Sequence, residues 1–297
     1  MTPGEFPPTL QAAAARLAAL RPGDYARSRN HLDGAVTRLS PYITHGFLSL
    51  PQVVAWLHDR HGLGTDHKLV QELGWRAFFQ HAWRHDGEAI FRSIHPGPLP
   101  EAAYAPELPA DIRQGRSGVP AIDQAIRALY ATGYVHNHAR MWLASYCVHV
   151  RKVHWRVGAD WMLGHLLDGD LASNHLSWQW VAGTASSKPY LFNADNVAKY
   201  APTGWHSRGT VIDASYDALH GLAQQPRDGG AEPGEHRGIT EPVLLRSPPA
   251  HGFSRPDAHA IAGRDVWLVH PWSLGEVPAG CLPVAVCAAD VHARWPW

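Results

Sequence analysis

Cysteine is scarce. Cys147, Cys281 and Cys287 are the only three in 297 residues, and no two stand in a CxxC spacing. That argues against a disulfide scaffold, an iron–sulfur cluster or structural zinc of the multi-cysteine type. Net charge is missing too: Lys plus Arg and Asp plus Glu both number 26. The chain as a whole therefore offers no basic footprint, and a nucleic-acid partner would have to meet a local basic face. No window holds the roughly 18 uninterrupted apolar residues of a membrane span. The opening MTPGEFPPTL also lacks the basic-then-apolar order of a signal peptide. A soluble, cytoplasmic protein without a membrane partner is the expectation. Alternating β-branched runs are almost absent before about residue 200, and no internal repeat is found.

What the chain has in excess is tryptophan and histidine, 13 and 21 of them. For any single Trp, core packing is the plainer role. Helical periodicity is strong. Thr9–Leu20 reads as an Ala-rich helix ended by Pro22-Gly23, and Ser40-Pro41 reads as an N-cap followed by a first-turn proline. Ser49 opens another helix, and Lys68–His85 repeats its apolar positions at helical spacing. Residues 86–119 are rich in Pro and Gly and read as an ordered connector. Further helices are expected at Ala121–Ala131, Asn137–Val153 and Ala159–Leu167.

The fold class expected is mainly α over residues 1–205, followed by an extension over 206–297. In that extension, 224–242 is Gly/Pro-rich and reads as flexible, while VWLVHPW (266–272) and LPVAVCA (282–288) read as short buried strands. The extension would thus be a small α/β or strand-containing appendage.

Polar groups gather in an order that asks for a ligand. Thr37, Arg38 and Ser40 sit at a helix start, where free N–H groups and the helix dipole favour an anion. Glu72 and Arg76 stand four apart, Asn137 and Arg140 follow, and Asp168, Asp170 and Asn174 close the set. Each has a plainer reading alone: Glu72 with Arg76 as a helix ion pair, Asp168 or Asp170 as a helix cap. Together they suit a nucleotide cofactor with a diphosphate, several hydroxyls and a polar ring edge. A rival from another class is a metal site on His81 and His85 with Asp86 beside them, though no Glu lies between the two His as in a zinc protease.

DGDLASNHLSWQW (168–180), together with ELGWRAFF, YVHNHARMWLAS and YARSRNHLDGAVTRLSPYITHGFLS, resembles the FAD-binding helical domain of the photolyase/cryptochrome family over roughly residues 25–200. The resemblance implies a photolyase-like fold holding a U-shaped FAD, active in the fully reduced form. It places Tyr25, Thr37, Arg38, Leu39 and Ser40 at the diphosphate end and Glu72, Arg76, Asn137 and Arg140 around the cavity. It places Asp168, Asp170 and Ser173 by the flavin and ribityl region, with Asn174 at flavin N5. It implies light-dependent repair of a cyclobutane pyrimidine dimer flipped out of UV-damaged DNA. Glu72, Asn137, Met141, Trp75 and Trp180 would form the lesion pocket.

Trp178 and Trp155 match the first two members of the family's photoreduction chain. The third place falls at Ala102, with Tyr104 the nearest aromatic. A cryptochrome-like light-signalling protein is one alternative, although signalling needs no dimer pocket. Repair of the (6-4) product is another, although His138 is only adjacent to the diagnostic places. The family's N-terminal antenna domain has no counterpart before residue 25, so no antenna chromophore is expected. Arg27, Arg29, Arg113, Arg116, Arg151, Lys152 and Arg156 could form a basic rim. Single-stranded lesions and a monomeric state are the remaining expectations.

Overall fold

Thr9 accepts a hydrogen bond from the N–H of Ala12 and starts helix α1 (Leu10–Ala18). The computed structural model describes residues 6–226, 257–269 and 277–285. Pro22, expected to follow a helix end, also opens the next helix, α2 (Pro22–Ser28), because its fixed φ suits a first turn. In α3 (Ser40–Thr44) the N-cap is Leu39, not Ser40, and Pro41 is the second helical residue. The Ser40 hydroxyl is thereby freed to point elsewhere. α4 (Leu50–His61) carries a full capping box between Ser49 and Gln52. These helices close a first core of Leu17, Leu39, Val53 and Leu57, completed by Leu69 from the helix that follows.

α5 (Lys68–Asp86) leads through 3₁₀ turns at Gly87–Phe91 and Glu101–Ala103 to α6 (Ala110–Arg113), so the connector at 86–119 is partly helical. α7 (Pro120–Thr132) buries Ile122, Ala125, Ile126 and Leu129, a stripe at the helical period, and ends on Gly133 at φ 66°. α8 covers Asn137–Ser145. The single helix expected through Val153 instead gives way to a π turn at Tyr146–Val150, closed by Arg151 N–H on the Tyr146 carbonyl at 3.0 Å.

α9 (Trp155–His165) starts four residues before its expected first residue, with His154 as its N-cap. α10 (Leu171–Ala182) buries eight of its twelve residues, Asn174, His175 and Gln179 among them, and packs against both α5 and α9. Gly158 makes the α9–α10 approach possible: a Cβ there would lie 2.3 Å from the Trp178 ring. α11 spans Ala194–Tyr200, and α12 (Tyr216–Gln224) packs on the π turn. The Lys152 ammonium ties α12 down by donating to the carbonyls of His149 (2.7 Å) and Leu222 (2.6 Å). Residues 206–226 therefore lie on the helical body.

α13 (Ala258–Ile261) precedes β1 (Val266–Val269), which pairs in parallel with β2 (Leu282–Ala285). Both expected strands exist over their first four residues, but they are partly exposed and not buried, with Leu268 facing solvent; their remaining parts, and most of the segment 224–242, lie outside the described residues. The large core runs through α7–α10 around Trp142, Leu143, Trp155 and Met162. Burying each such side chain fully is worth about 1.5–3 kcal/mol. No helix among the described residues is long and apolar enough to cross a membrane.

Candidate functional site

Where α3, α5, α8, α9 and α10 converge, they leave a cavity of about 140 Å³ that opens to solvent on one side. Its polar wall is built by two aspartates that flank the start of α10. Asp168 is buried and takes two hydrogen bonds from one guanidinium nitrogen of Arg140, at 2.8 and 2.7 Å. The Ser40 hydroxyl adds a third at 2.5 Å. Asp170 caps α10 by accepting from the Ser173 N–H at 2.9 Å, and its other oxygen accepts from Arg76 (3.1 Å) and Gln80 (2.8 Å). Burial works against the ionised Asp170, but Arg76 and these hydrogen bonds outweigh it and hold the carboxyl below the usual carboxylate range.

Thr44 joins the two clusters: its Oγ1 accepts from Arg76 at 2.9 Å and donates to the Asp168 carbonyl at 3.1 Å. Both plain readings of the sequence thus meet the structure differently. Asp170 does cap a helix and still faces the cavity. Glu72 and Arg76 do not pair: Arg76 turns to Asp170, and Glu72 meets Arg29 at 3.5 Å.

Asn174 is buried in the wall and donates through Nδ2 to the Ala159 carbonyl at 2.8 Å. This uses one of the amide's two N–H groups and leaves Oδ1 as an acceptor. Trp178, Met141 and Asn137 complete the part of the wall read from sequence. Met162, Leu166, Ala144, Ser177 and Val181 also line it and were missed, as were the supporting Thr44 and Gln80. Ser177 and Val181 continue the α10 stripe of Asn174 at helical spacing, and Gln80 lies one turn beyond Arg76, so their positions were readable in principle.

The other expected site residues lie off this cavity. Thr37 accepts from the Leu39 N–H at 3.3 Å, and the Leu39 side chain is buried in the first core. Arg38, held at φ 52°, lays its guanidinium 5.9 Å from the Tyr134 ring centre. Tyr25 packs on the first core, and burial together with the nearby Glu72 carboxylate raises its phenol's pKa. Trp75 on α5 and Trp180 on α10 are 54% and 44% exposed, on the outside of the helices.

Trp155 is buried, with its indole N–H on Ser93 at 3.0 Å. The His154 ring lies 5.7 Å from Trp155 and 6.4 Å from Tyr104, so Tyr104 is linked to Trp155 by ring contacts. Tyr104 is held in place by the backbone bond from Ala105 to Lys152.

The expected basic rim is largely committed internally: Arg27 to Asp24, Arg29 to Glu72, Arg151 to Asp111, Arg156 to Asp160, and Lys152 to backbone carbonyls. His85 pairs with Asp86 at 2.7 Å, and among the described residues no three His, Cys, Asp or Glu gather as metal ligands.

Two polar atoms at the cavity, Arg76 Nε and Ser173 Oγ, are buried without a hydrogen-bond partner. Buried groups of this kind are normally satisfied. With the aspartates and Asn174 they make a donor and acceptor set that fits a polyhydroxylated, heterocyclic ligand.

Residues 69–208 match the family described as the FAD binding domain of DNA photolyase. This segment belongs to that family. The chain is 37% identical over 164 residues to the deoxyribodipyrimidine photo-lyase of Streptomyces griseus, covering 55% of this chain and 36% of that protein. It is 38% identical over 172 residues to its Thermus thermophilus counterpart, covering 56% and 40%. A Synechocystis cryptochrome superposes with a TM-score of 0.57 at 27% identity, covering 65% of this chain and 43% of that one. The chain thus spans about two fifths of the length of these curated photolyase relatives.

Proposed function

We propose that the cavity holds FAD and that the protein repairs cyclobutane pyrimidine dimers in DNA under blue light. The observation that carries this is the pair of unsatisfied buried atoms, Arg76 Nε and Ser173 Oγ, in a wall whose aspartates are already fixed by arginines. When bound, reduced FAD supplies on excitation the electron that splits the dimer, and recovers it afterwards.

The chain's own residues do the rest. Asp168 and Asp170, oriented by Arg140 and Arg76, accept from ribityl hydroxyls and from a ring N–H. Asn174 would hold the flavin ring edge, its Oδ1 accepting from a ring N–H while its amide nitrogen is anchored on the Ala159 carbonyl. A neutral amide there accepts without taking up a proton, which favours the fully reduced state. Trp178, buried in the wall, and the buried Trp155 would supply an electron to a cofactor bound in its oxidised form. Trp75 and Trp180 offer exposed rings on which the flipped bases stack. Glu72 hydrogen-bonds a pyrimidine carbonyl as charge develops on it. Because Arg29 already neutralises Glu72, the lesion must displace that pairing or share it.

Since most candidate phosphate contacts are committed to aspartates and glutamates, few counterions would be released on binding. Single-stranded lesions, which need no unpairing, are the preferred substrate. The test is repair by the FAD-loaded, anaerobically reduced protein of single-stranded oligonucleotides carrying either a cyclobutane dimer or a (6-4) product. Light-dependent restoration of the dimer alone supports the proposal. Restoration of the (6-4) product alone corrects the lesion. Bound, photoreducible FAD without any repair transfers the assignment to cryptochrome-like signalling.

A further inference from the structure

Asn174 faces the cavity, and His175, the next residue on α10, turns about 100° away into the protein. It is 1% exposed, and both of its ring nitrogens meet acceptors. Nε2 lies 2.8 Å from Asp160 Oδ1, and Nδ1 lies 3.0 Å from the Leu171 carbonyl oxygen. A carbonyl oxygen cannot donate, so Nδ1 must carry a proton. Burial opposes ionisation of Asp160, yet the His175 hydrogen bond and charge, and then Arg156 at 3.4 Å, hold its carboxyl below the usual range. An ionised carboxylate cannot donate either, so Nε2 must also carry a proton.

The His175 ring also lies nearly perpendicular to two aromatic rings. Phe91 lies 5.1 Å away at 83°, and Trp155 lies 6.4 Å away at 85°. Arg156 covers Phe91 at 4.7 Å. The ionisable groups brought against this cluster are Asp160 and Arg156 on α9, and His154 at that helix's start. α10 has no other ionisable side chain between its cap and its end.

We propose that His175 is a buried imidazolium, paired with Asp160, that positions Trp155 and disfavours a positive charge on it. His175 is a positioning residue rather than a catalytic one: it touches neither the cavity nor a substrate, and it acts through Trp155. The premise, a doubly protonated His175, rests on the two acceptors its ring nitrogens meet, a backbone carbonyl and a half-exposed carboxylate that is ionised at neutral pH. The consequence rests on the electron path of the proposed function. There, Trp178 gives one electron to the photoexcited cofactor, Trp155 refills Trp178, and a thiol reductant in solution finally restores Trp155. A fixed imidazolium beside Trp155 makes the second transfer less favourable and shortens the charge-separated state, because the electron returns to Trp155 and the positive charge to Trp178, next to the cofactor site.

The first test needs no cofactor. Protein labelled with ¹⁵N in histidine is expected to show one buried histidine with both ring nitrogens protonated at neutral pH. In Asp160→Asn, a change at a half-exposed position, that histidine should lose one of the two protons. A neutral His175 in the unsubstituted protein would overturn the inference.

The second test loads the protein with FAD and follows the tryptophan radical after a flash. His175→Asn leaves Asp160 without its cationic partner on this side and is expected to prolong the Trp155 radical several-fold. An unchanged lifetime in a folded, FAD-loaded His175→Asn protein would overturn the consequence. If FAD does not bind at all, the proposed function fails, while the protonation result still stands or falls by itself.

Discussion

Arg140 and Asp168 meet through a single guanidinium nitrogen that donates to both carboxylate oxygens, at 2.8 and 2.7 Å. The same Arg140 sends its Nε to the Val135 carbonyl at 2.7 Å. The loop before α8 is thereby locked to the start of α10, on opposite sides of the cavity. The pair holds the site's geometry as well as presenting charge.

Removing one partner of a buried pair leaves the other charge desolvated and unpaired, at a cost of about 3–5 kcal/mol. Arg140→Met should lower stability by roughly that amount, since Asp168 is buried and only Ser40 would still satisfy its side chain. Urea unfolding of the cofactor-free protein checks this. Arg140→Met with unchanged stability would mean that Asp168 finds solvent or another cation.

The approach of α9 to α10 depends on one missing methyl group. A Cβ at Gly158 would fall 2.3 Å from Trp178 Cη2. Gly158→Ala should therefore cost about 1–3 kcal/mol by overpacking. It should also displace Trp178 from the wall, which would show as altered tryptophan fluorescence and weaker FAD retention. The effect is specific to this site: Gly164 on the same helix has open space around it, so Gly164→Ala is expected to be neutral or slightly stabilising.

Acid should destabilise the fold through His149. It is buried, its Nε2 faces the Val181 carbonyl at 2.9 Å, and its Nδ1 has no partner. Burial, together with nearby Lys152, lowers its pKa from 6.5 to about 4. Between those values the unfolded chain binds a proton that the folded chain refuses, so stability falls as the pH drops from about 6.5 to about 4 and is fully present above. The contribution is about 3 kcal/mol. His136, its pKa also lowered to about 4 by burial and then by His138, acts in the same direction. His149→Gln, which keeps a donor toward Val181, should flatten the denaturation midpoint across this window. An equally steep profile in His149→Gln would assign the acid sensitivity elsewhere.

The motif 168–180 brings Asp168, Asp170, Ser173, Asn174 and Trp178 to one wall of the cavity because they are neighbours at one helix and its cap, and spacing along a helix is written in the sequence. Partner choice was not. Glu72 and Arg76 satisfy the i, i+4 rule perfectly well, yet the side chains separate, since Asp170 lies deeper and a buried carboxylate gains more from the guanidinium than an exposed one. Leu39 was read with its neighbours as part of a binding turn. Its side chain instead completes the first core, and a turn's rotation is set by what it packs on. Thr44 was passed over because a threonine at a helix end has an ordinary local use; its two bonds cross the fold to Arg76 and Asp168.

Trp75 and Trp180 have large exposed faces, 54% and 44%, and their aromatic neighbours are at the side: Phe78 edge-on to Trp75 at 5.7 Å, Tyr190 tilted against Trp180 at 5.6 Å. Neither indole is a core residue, so truncation should leave stability within about 0.5 kcal/mol. If the rings stack on extruded bases, each truncation should cost about 1–3 kcal/mol of binding, roughly 5- to 150-fold in Kd. Fluorescence anisotropy with a labelled single strand carrying one cyclobutane dimer reads this directly for Trp75→Ala and Trp180→Ala. An undamaged strand serves as the reference, because stacking at a lesion pocket changes the ratio of the two affinities while general attachment lowers both alike. Stable variants that lose affinity for both strands equally would make these tryptophans part of a non-selective surface. Stable variants that bind both strands as before would remove them from the DNA interface.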